Sequence, residues 1–316
     1  MFSDKLRIFS GSSNPMLAER ISAELGLTLG KINISRFKSG EIYVHYEETI
    51  RNCDVFIVQS LSHPINEHLV ELMVMIDAAK RASARTVNIL MPYYGYARQE
   101  RKAAPREPIS AKMVADVLTT VGAHRVITID LHAPAIQGFF NIPVDHLTAL
   151  DLISDYLKAK DIQNPIVVSP DAGRASTAEK LANNLDSPFA IMIKKRPAHN
   201  ESVITHVIGD VEGATAIIIE DLIDTGTTIV NVVESLKERG AADIYVCATH
   251  PLFSGPALQR LDHPHIKEVI ITDSIALPES HPERFKVISV APMLAEATRI
   301  IIEGGSISTL FKHKGV

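Results

Sequence analysis

The sequence predicts an α/β protein of two similar domains, each with a mainly parallel sheet flanked by helices. Three observations carry that expectation. Short runs rich in Val and Ile recur along the chain, stretches of helical period separate them, and the alternation occurs twice within 316 residues. Strands that are apolar throughout are buried on both faces, the condition of a parallel sheet covered by helices. The length suits two domains of ordinary size, each able to build its own core.

Taken in order, "VFIVQS" (55–60) reads as a buried strand. "INEHLVELMVMIDAAKRA" (65–82) reads as a helix, because Ile65, Leu69, Leu72, Met73 and Ile76 recur at helical spacing. Strands "TVNILMP" (86–92) and "RVITID" (125–130) enclose a helical "SAKMVADVLTTVG" (110–122). The second half repeats the theme with strands "IVVSP" (166–170), "AIMI" (190–193), "TAIIIE" (215–220), "DIYVCATH" (243–250) and "EVIITD" (268–273). The halves meet near Val144 to Leu150, which divides the chain into 1–147 and 148–316 and leaves the last helix able to pack back on the first domain. The repeat is architectural, without strong residue-by-residue self-similarity.

Apolar residues make up 46% of the chain, which excludes bulk disorder. A formal charge of −5 disfavours a general nucleic-acid binder, though local clusters still allow anionic small molecules. Cys53 and Cys247 match no zinc or redox spacing and read as reduced thiols. The start, "MFSDKLRIFS", lacks the apolar core of a signal peptide, and no apolar run reaches membrane-span length. The expectation is a soluble cytoplasmic protein with neither membrane nor nucleic acid as partner.

In open α/β sheets ligands collect at the carboxyl ends of strands, and there this chain keeps its unusual residues. "AIIIEDLIDTGTT" (216–228) ends a strand in Glu220 and Asp221, adds Asp224, and continues as Thr225, Gly226, Thr227 and Thr228. The threonines and glycine suit a phosphate cradle made of backbone N–H groups at a helix start. Three acids on its lip are explained if the ligand is a ribose 5-phosphate, whose hydroxyls donate to carboxylates. The plainer reading is a helix turn capped by Asp224 or Thr225, which explains one of these residues but not the set.

"IMIKKRPAHN" (191–200) places Lys194, Lys195 and Arg196 at a strand end, a cationic trio of the kind that neutralises a transferring phosphoryl group. Taken alone, such a run is more often a solvated basic turn. His132 in "TIDLHAPAIQGFF" and Asp171 in "VVSPDAG" each follow a strand and together could hold Mg²⁺, with substrate phosphates completing the shell. His124, His146, His250 and His281 read as ordinary hydrogen-bonded histidines. "PYYGYARQERKAAPREPISAK" (92–112) gathers Arg98, Arg101, Lys102 and Arg106 with few apolar anchors, and is expected to be a mobile basic loop able to close over polyphosphate.

This loop, "DLHAPAIQGFFNIPVD", "KKRP" and "EDLIDTGTT", with "SGSSNP" (10–15), "RFKSGE" (36–41) and "THPLFSGPA" (249–257), occur in an order that resembles the ribose-phosphate diphosphokinase family, in its bacterial, phosphate-activated class. The resemblance covers nearly the whole chain. It implies two type I phosphoribosyltransferase-like domains, assembly into homohexamers, and phosphate and ADP as effectors. It implies transfer of the diphosphoryl group of Mg-ATP to the 1-hydroxyl of ribose 5-phosphate, with release of AMP. By position, Lys194 and Arg196 match the catalytic pair, and Arg196 also the sugar-phosphate site. His132 and Asp171 match the magnesium-linked pair. Glu220, Asp221, Asp224, Thr225, Gly226, Thr227 and Thr228 match the ribose 5-phosphate site. Phe37, Ser39 and Glu41 fall in the ATP segment with Arg98 and Gln99 as partners, in a site shared between subunits.

The chain also departs from the family pattern. Glu220 stands where Asp is usual, Thr227 where a small residue is usual, and Lys38 and Ser39 where Ser and Asp are common. Ile193 replaces an Asp, "RQERK" replaces "RQDRK", and Ala135 replaces a Gln near the family's regulatory surface. Two other functions share parts of the pattern. A phosphoribosyltransferase shares the "DLIDTGTT" (221–228) type of loop but needs neither the 92–112 loop, "RFKSGE" nor two domains. A non-catalytic regulatory homologue would not need Lys194, Arg196, His132 and Asp171 intact.

Overall fold

The computed structural model describes residues 5–198, 201–278 and 280–310; the side chains of 194–205 lie outside it. The chain forms two compact units. One comprises Met1–Thr148, Ser274–Ala276 and Ser289–Val316; the other comprises Ala149–Asp273 and Leu277–Ile288.

The first unit begins with β1 (Leu6–Ser10), α1 (Pro15–Glu24), β2 (Ile32–Arg36), β3 (Ile42–Tyr46), β4 (Asp54–Val58) and α2 (Ile65–Arg81). It continues through β5 (Thr86–Leu90), α3 (Ser110–Val121), β6 (Arg125–Ile129) and β7 (Val144–Leu147). Its main sheet runs β1-β4-β5-β6-β7, parallel throughout, and β2 and β3 form a separate antiparallel hairpin. Val55, Ile57, Val87 and Ile89 of the central strands share one core cluster with Leu72, Met75 and Ile76 of α2 and Val114 and Leu118 of α3. Met75, rather than the expected Met73, completes the buried stripe of α2.

"SGSSNP" has a physical role here. A Cβ on Gly11 would stand 2.3 Å from Gln59 Oε1, so only glycine allows this approach. Gln59 Oε1 accepts from Ser13 N at 3.0 Å. The buried Glu71 carboxylate of α2 accepts from Ser12 N, Ser12 Oγ and Gln59 Nε2, each at 2.7 Å. Asn14 then caps α1 by accepting from Leu17 N.

The second unit contains α4 (Leu150–Lys158), β8 (Pro165–Ser169), α5 (Ala175–Leu185), β9 (Phe189–Ala198), β10 (Glu201–Ile208) and β11 (Thr215–Ile223). It goes on with α6 (Thr227–Glu238), β12 (Ile244–Pro251), α7 (Ala257–Leu261), β13 (Glu268–Thr272) and β14 (Phe285–Ile288). The sheet order is β10-β9-β8-β11-β12-β13-β14, parallel except for the β9–β10 pair. Successive residues of its central strands face opposite cores. Val168, Ile218 and Val246 join Val232, Val233 and Leu236 of α6. Val167, Ile217 and Cys247 join Ile153 and Leu157 of α4 and Leu181 of α5. Burial on both faces is what the uninterrupted apolar runs require. The last helix, α8 (Ala291–Glu303), belongs to the first unit and packs against α1.

One expectation needs correction. The strand at "AIMI" does not end before Lys194. It continues as β9 to Ala198, because β10 pairs with it antiparallel, with Lys194 opposite Ile204 and Lys195 opposite Val203. The cationic trio therefore sits within a hairpin strand, not in a turn after it.

Candidate active site

The chain leaves β11 at Ile223 and turns through Asp224 and Thr225 into α6. Gly226 occupies the N-cap at φ 75°, ψ −8°, and has no side chain with which to cap α6. Neither Asp224 nor Thr225 therefore occupies the N-cap position expected of it. The first N–H groups of α6 lie at the positive end of the helix dipole, the arrangement that binds anions. A Cβ on Gly226 would meet only ordinary contacts, the nearest being Leu261 Cγ at 3.5 Å, so glycine is needed for its left-handed backbone and not for space. Thr227 is the first residue of α6 and is not among the residues of positive φ, so the bulk of its side chain does not strain the loop.

Two arginines that the sequence reading assigned no role flank this loop. Arg260 on α7 donates from Nη1 to the Thr225 carbonyl and to the Thr227 hydroxyl, both at 2.9 Å. Ser254 N also donates to the Asp224 carbonyl at 3.0 Å, so the 253–260 segment braces the turn from outside. Arg174, at the end of "SPDAGR", lies with Nη2 2.5 Å from Asp221 Oδ2 and Nε 3.7 Å from Glu220 Oε2. The acids beside the cradle thus have a counter-charge in the protein itself. Parallel pairing of β8 with β11 sets Arg174 and the two acids beside one another, a juxtaposition that no local spacing reveals.

Asp171 follows β8 and caps the short 172–174 turn, its Oδ1 accepting from Gly173 N at 3.0 Å. His132 follows β6 in the first unit, two residues after Asp130, whose φ is 39°. The intervening Leu131 N donates to His146 Nε2 at 2.8 Å, so His146 is hydrogen-bonded as expected, though from strand β7 and not from a loop. Among the described residues no group of three or more His, Cys, Asp or Glu could hold a metal. A single imidazole or a single carboxylate fits a hard divalent ion only as one ligand in a shell that substrate phosphates and water complete. Lys194 and Arg196 lie on β9, with side chains outside the described set.

In the first unit, Phe37, Ser39 and Glu41 occupy the turn between β2 and β3. Phe37 N donates to Glu41 O at 2.9 Å, and Ser39 Oγ to Glu41 Oε2 at 2.6 Å. Phe37 is 56% exposed and packs edge-on against Tyr43, with ring centroids 5.6 Å apart, so it has an aromatic partner that its polar segment did not suggest. Arg98 and Gln99 begin the basic loop. Its expected shortage of apolar anchors is corrected at the root, where Tyr93, Tyr94 and Ala97 are buried. The Tyr94 hydroxyl donates to Ala111 O at 2.8 Å, and Ser110 Oγ donates to Gln99 Oε1 at 2.6 Å. Adjacent residues of α2 tie both elements down: Glu67 pairs with Arg36 of the hairpin, and Asn66 accepts from Tyr96.

Neither cysteine is a nucleophile candidate on this geometry. Both are buried, and burial pushes the Cys247 thiol well above its ordinary range.

Comparison with known proteins places these features in context. A family model described as the N-terminal domain of ribose phosphate pyrophosphokinase matches residues 6–122, and one described as the phosphoribosyl synthetase-associated domain matches 171–312. A ribose-phosphate pyrophosphokinase of Bacillus subtilis (strain 168) is 51% identical over 312 residues, covering 98% of each chain. One from Bacillus caldolyticus is 52% identical over 308 residues, covering 97% of this chain and 98% of its own. Among solved structures, phosphoribosylpyrophosphate synthetase from Mycobacterium smegmatis superposes with a TM-score of 0.90 at 42% identity, covering 96% of this chain and all of that one.

Proposed function

We infer the chemistry of this site from one premise: the chain belongs to the ribose-phosphate pyrophosphokinase family. It is a transferase of nucleotide biosynthesis that moves the diphosphoryl group of ATP to the 1-hydroxyl of ribose 5-phosphate, giving phosphoribosyl pyrophosphate and AMP. The observation that most supports a sugar-phosphate site at 224–228 is the α6 N-terminus, turned by Gly226 in the left-handed conformation just after Glu220 and Asp221 of β11.

In this reading the 5-phosphate accepts from the N–H groups and hydroxyls of Thr225 to Thr228, with Asp224 and Arg196 at its rim. Glu220 and Asp221 accept from the ribose hydroxyls. Phe37 stacks on adenine, while Ser39, Glu41, Arg98 and Gln99 bind polar groups of ATP. The 1-hydroxyl attacks the β-phosphorus in line, and the bond from β-phosphorus to the bridging oxygen of AMP breaks. Lys194 and Arg196 neutralise the β- and bridging oxygens as charge builds there. Mg²⁺, held in part by His132 and Asp171, supplies further neutralisation of the phosphate oxygens when bound.

Cytoplasmic location, a homohexameric assembly, and phosphate and ADP as effectors complete the proposal on the strength of family membership. Among the described residues, no helix is long and apolar enough to cross a membrane. A phosphoribosyltransferase is disfavoured, because the match to the N-terminal synthetase domain would then have no purpose. Incubating the purified protein with ATP, with and without ribose 5-phosphate, tests the reading. AMP formed only with the sugar, in step with phosphoribosyl pyrophosphate, is the expected result. AMP formation independent of the sugar, or none with it, would contradict it.

A further inference from the structure

We propose that Arg174 is a positioning residue of the sugar site, holding Glu220 and Asp221 together as acceptors and offsetting part of their charge. The inference rests on the reading that ribose 5-phosphate occupies the 224–228 loop, and it adds to that reading a residue with no assigned role.

The geometry is specific. One guanidinium reaches both acids, at 2.5 Å to Asp221 Oδ2 and 3.7 Å to Glu220 Oε2, and the three side chains are only 15%, 6% and 12% exposed in the order Arg174, Asp221, Glu220. Two consecutive carboxylates held so far from water repel one another, and each loses hydration that something must replace. A planar fork of donors fits that need better than a point charge, because it can address two carboxylates at once. The seat of the fork is also fixed. Ser169 Oγ donates to Asp171 O at 2.6 Å, Asp171 caps the 172–174 turn, and Arg174 N donates back to Asp171 O at 3.3 Å. Arg174 therefore sits on a short hydrogen-bonded turn at the end of β8, beside the end of β11.

The consequence for binding follows from lone-pair arithmetic. An ionised carboxylate offers about four acceptor sites, so the contact with Arg174 does not by itself exhaust its capacity to accept from sugar hydroxyls. Arg174 thus holds the acids in place and offsets part of their charge, without itself touching the sugar. The same contact helps a phosphate site tolerate acids at its edge, since part of their charge is offset before an anion arrives.

Steady-state kinetics of Arg174→Met and Arg174→Lys, run beside Asp221→Asn, test this. Loss of a charged contact predicts that Arg174→Met raises the ribose 5-phosphate KM roughly tenfold or more, with the ATP KM within about twofold of wild type. Arg174→Lys, which keeps the charge without the fork, should recover a substantial part of that loss. If Arg174→Met fails to fold by circular dichroism, Arg174→Lys carries the test, with a selective rise in the sugar KM expected. An unchanged sugar KM in whichever variant is tested overturns the proposal. So does an equal rise in both KM values that lysine does not relieve, because that marks a structural role only. If Asp221→Asn weakens the sugar and Arg174→Met does not, the proposal alone fails. If neither weakens it, the placement of the sugar fails and the proposal falls with it.

Discussion

The Arg260 guanidinium and the Thr227 hydroxyl are hydrogen-bonded at 2.9 Å, so the residue that opens α6 is held from outside the loop by a helix beginning thirty residues further along the chain. The same Nη1 holds the Thr225 carbonyl. Arg260 thereby fixes the turn around Gly226 and brings positive charge to a loop lined by acids. Because Arg260 is exposed, solvent weakens the electrostatic part of the effect. Arg260→Ala should raise the ribose 5-phosphate KM roughly three- to tenfold with little change in the ATP KM. Thr227→Val removes one partner of the same bond, so the double variant should be less impaired than the product of the singles. Multiplicative effects would mean that the two residues act separately.

Lys194→Ala should lower kcat at least roughly a hundredfold, as for other preorganised charges aimed at a transition state, while substrate KM values change little. Position on β9 and family membership motivate this prediction. A variant with near-normal kcat would remove Lys194 from the mechanism.

Much of the fold was legible because the central strands are apolar on both faces and the helices carry strict periodicity. "TAIIIE" and "DIYVCATH" became β11 and β12 with only end adjustments. The edges were harder. In "INISR" and "IYVHY", each five residues long, polar residues alternate with apolar ones, so the β2–β3 hairpin lacks the uninterrupted apolar signature. The cations of β9 read locally as the end of a strand, whereas pairing with β10 carries the strand through them. The sugar loop could be read from its own sequence, since glycine, hydroxyls and acids lie within a few residues. Arg174 and Arg260 could not, because strand order and the docking of α7 bring them to partners distant in sequence.

Glu71 offers a test of stability rather than catalysis. It is 2% exposed and accepts three hydrogen bonds that tie Ser12 and Gln59 to α2. Glu71→Ala leaves those donors to find new partners in a buried setting and should destabilise the fold by about 2–4 kcal/mol. Glu71→Gln, which keeps one acceptor oxygen, should cost less. Urea denaturation followed by circular dichroism measures both, and an unchanged midpoint for Glu71→Ala would show that the network is dispensable.

The exposed Phe37 ring and the Arg98–Gln99 pair lead to a prediction about assembly. If the adenine site is shared between subunits, Phe37→Ala and Arg98→Ala should each be nearly inactive alone and recover some activity when mixed. Recovery requires subunit exchange, which mass spectrometry can verify, and activity should rise with protein concentration as assembly does. Verified exchange without recovery would place both groups in one subunit's site.

The central claim, that ribose 5-phosphate lies on the 224–228 loop with its hydroxyls on Glu220 and Asp221, is tested most directly by calorimetric titration of Asp221→Asn. The substitution removes a charged acceptor while keeping its shape, so ribose 5-phosphate should bind roughly tenfold or more weakly and ATP as in wild type. Thr228→Ala should show the same selectivity through the phosphate. Equal losses for the two substrates, or a loss for ATP alone, would contradict this placement of the sugar.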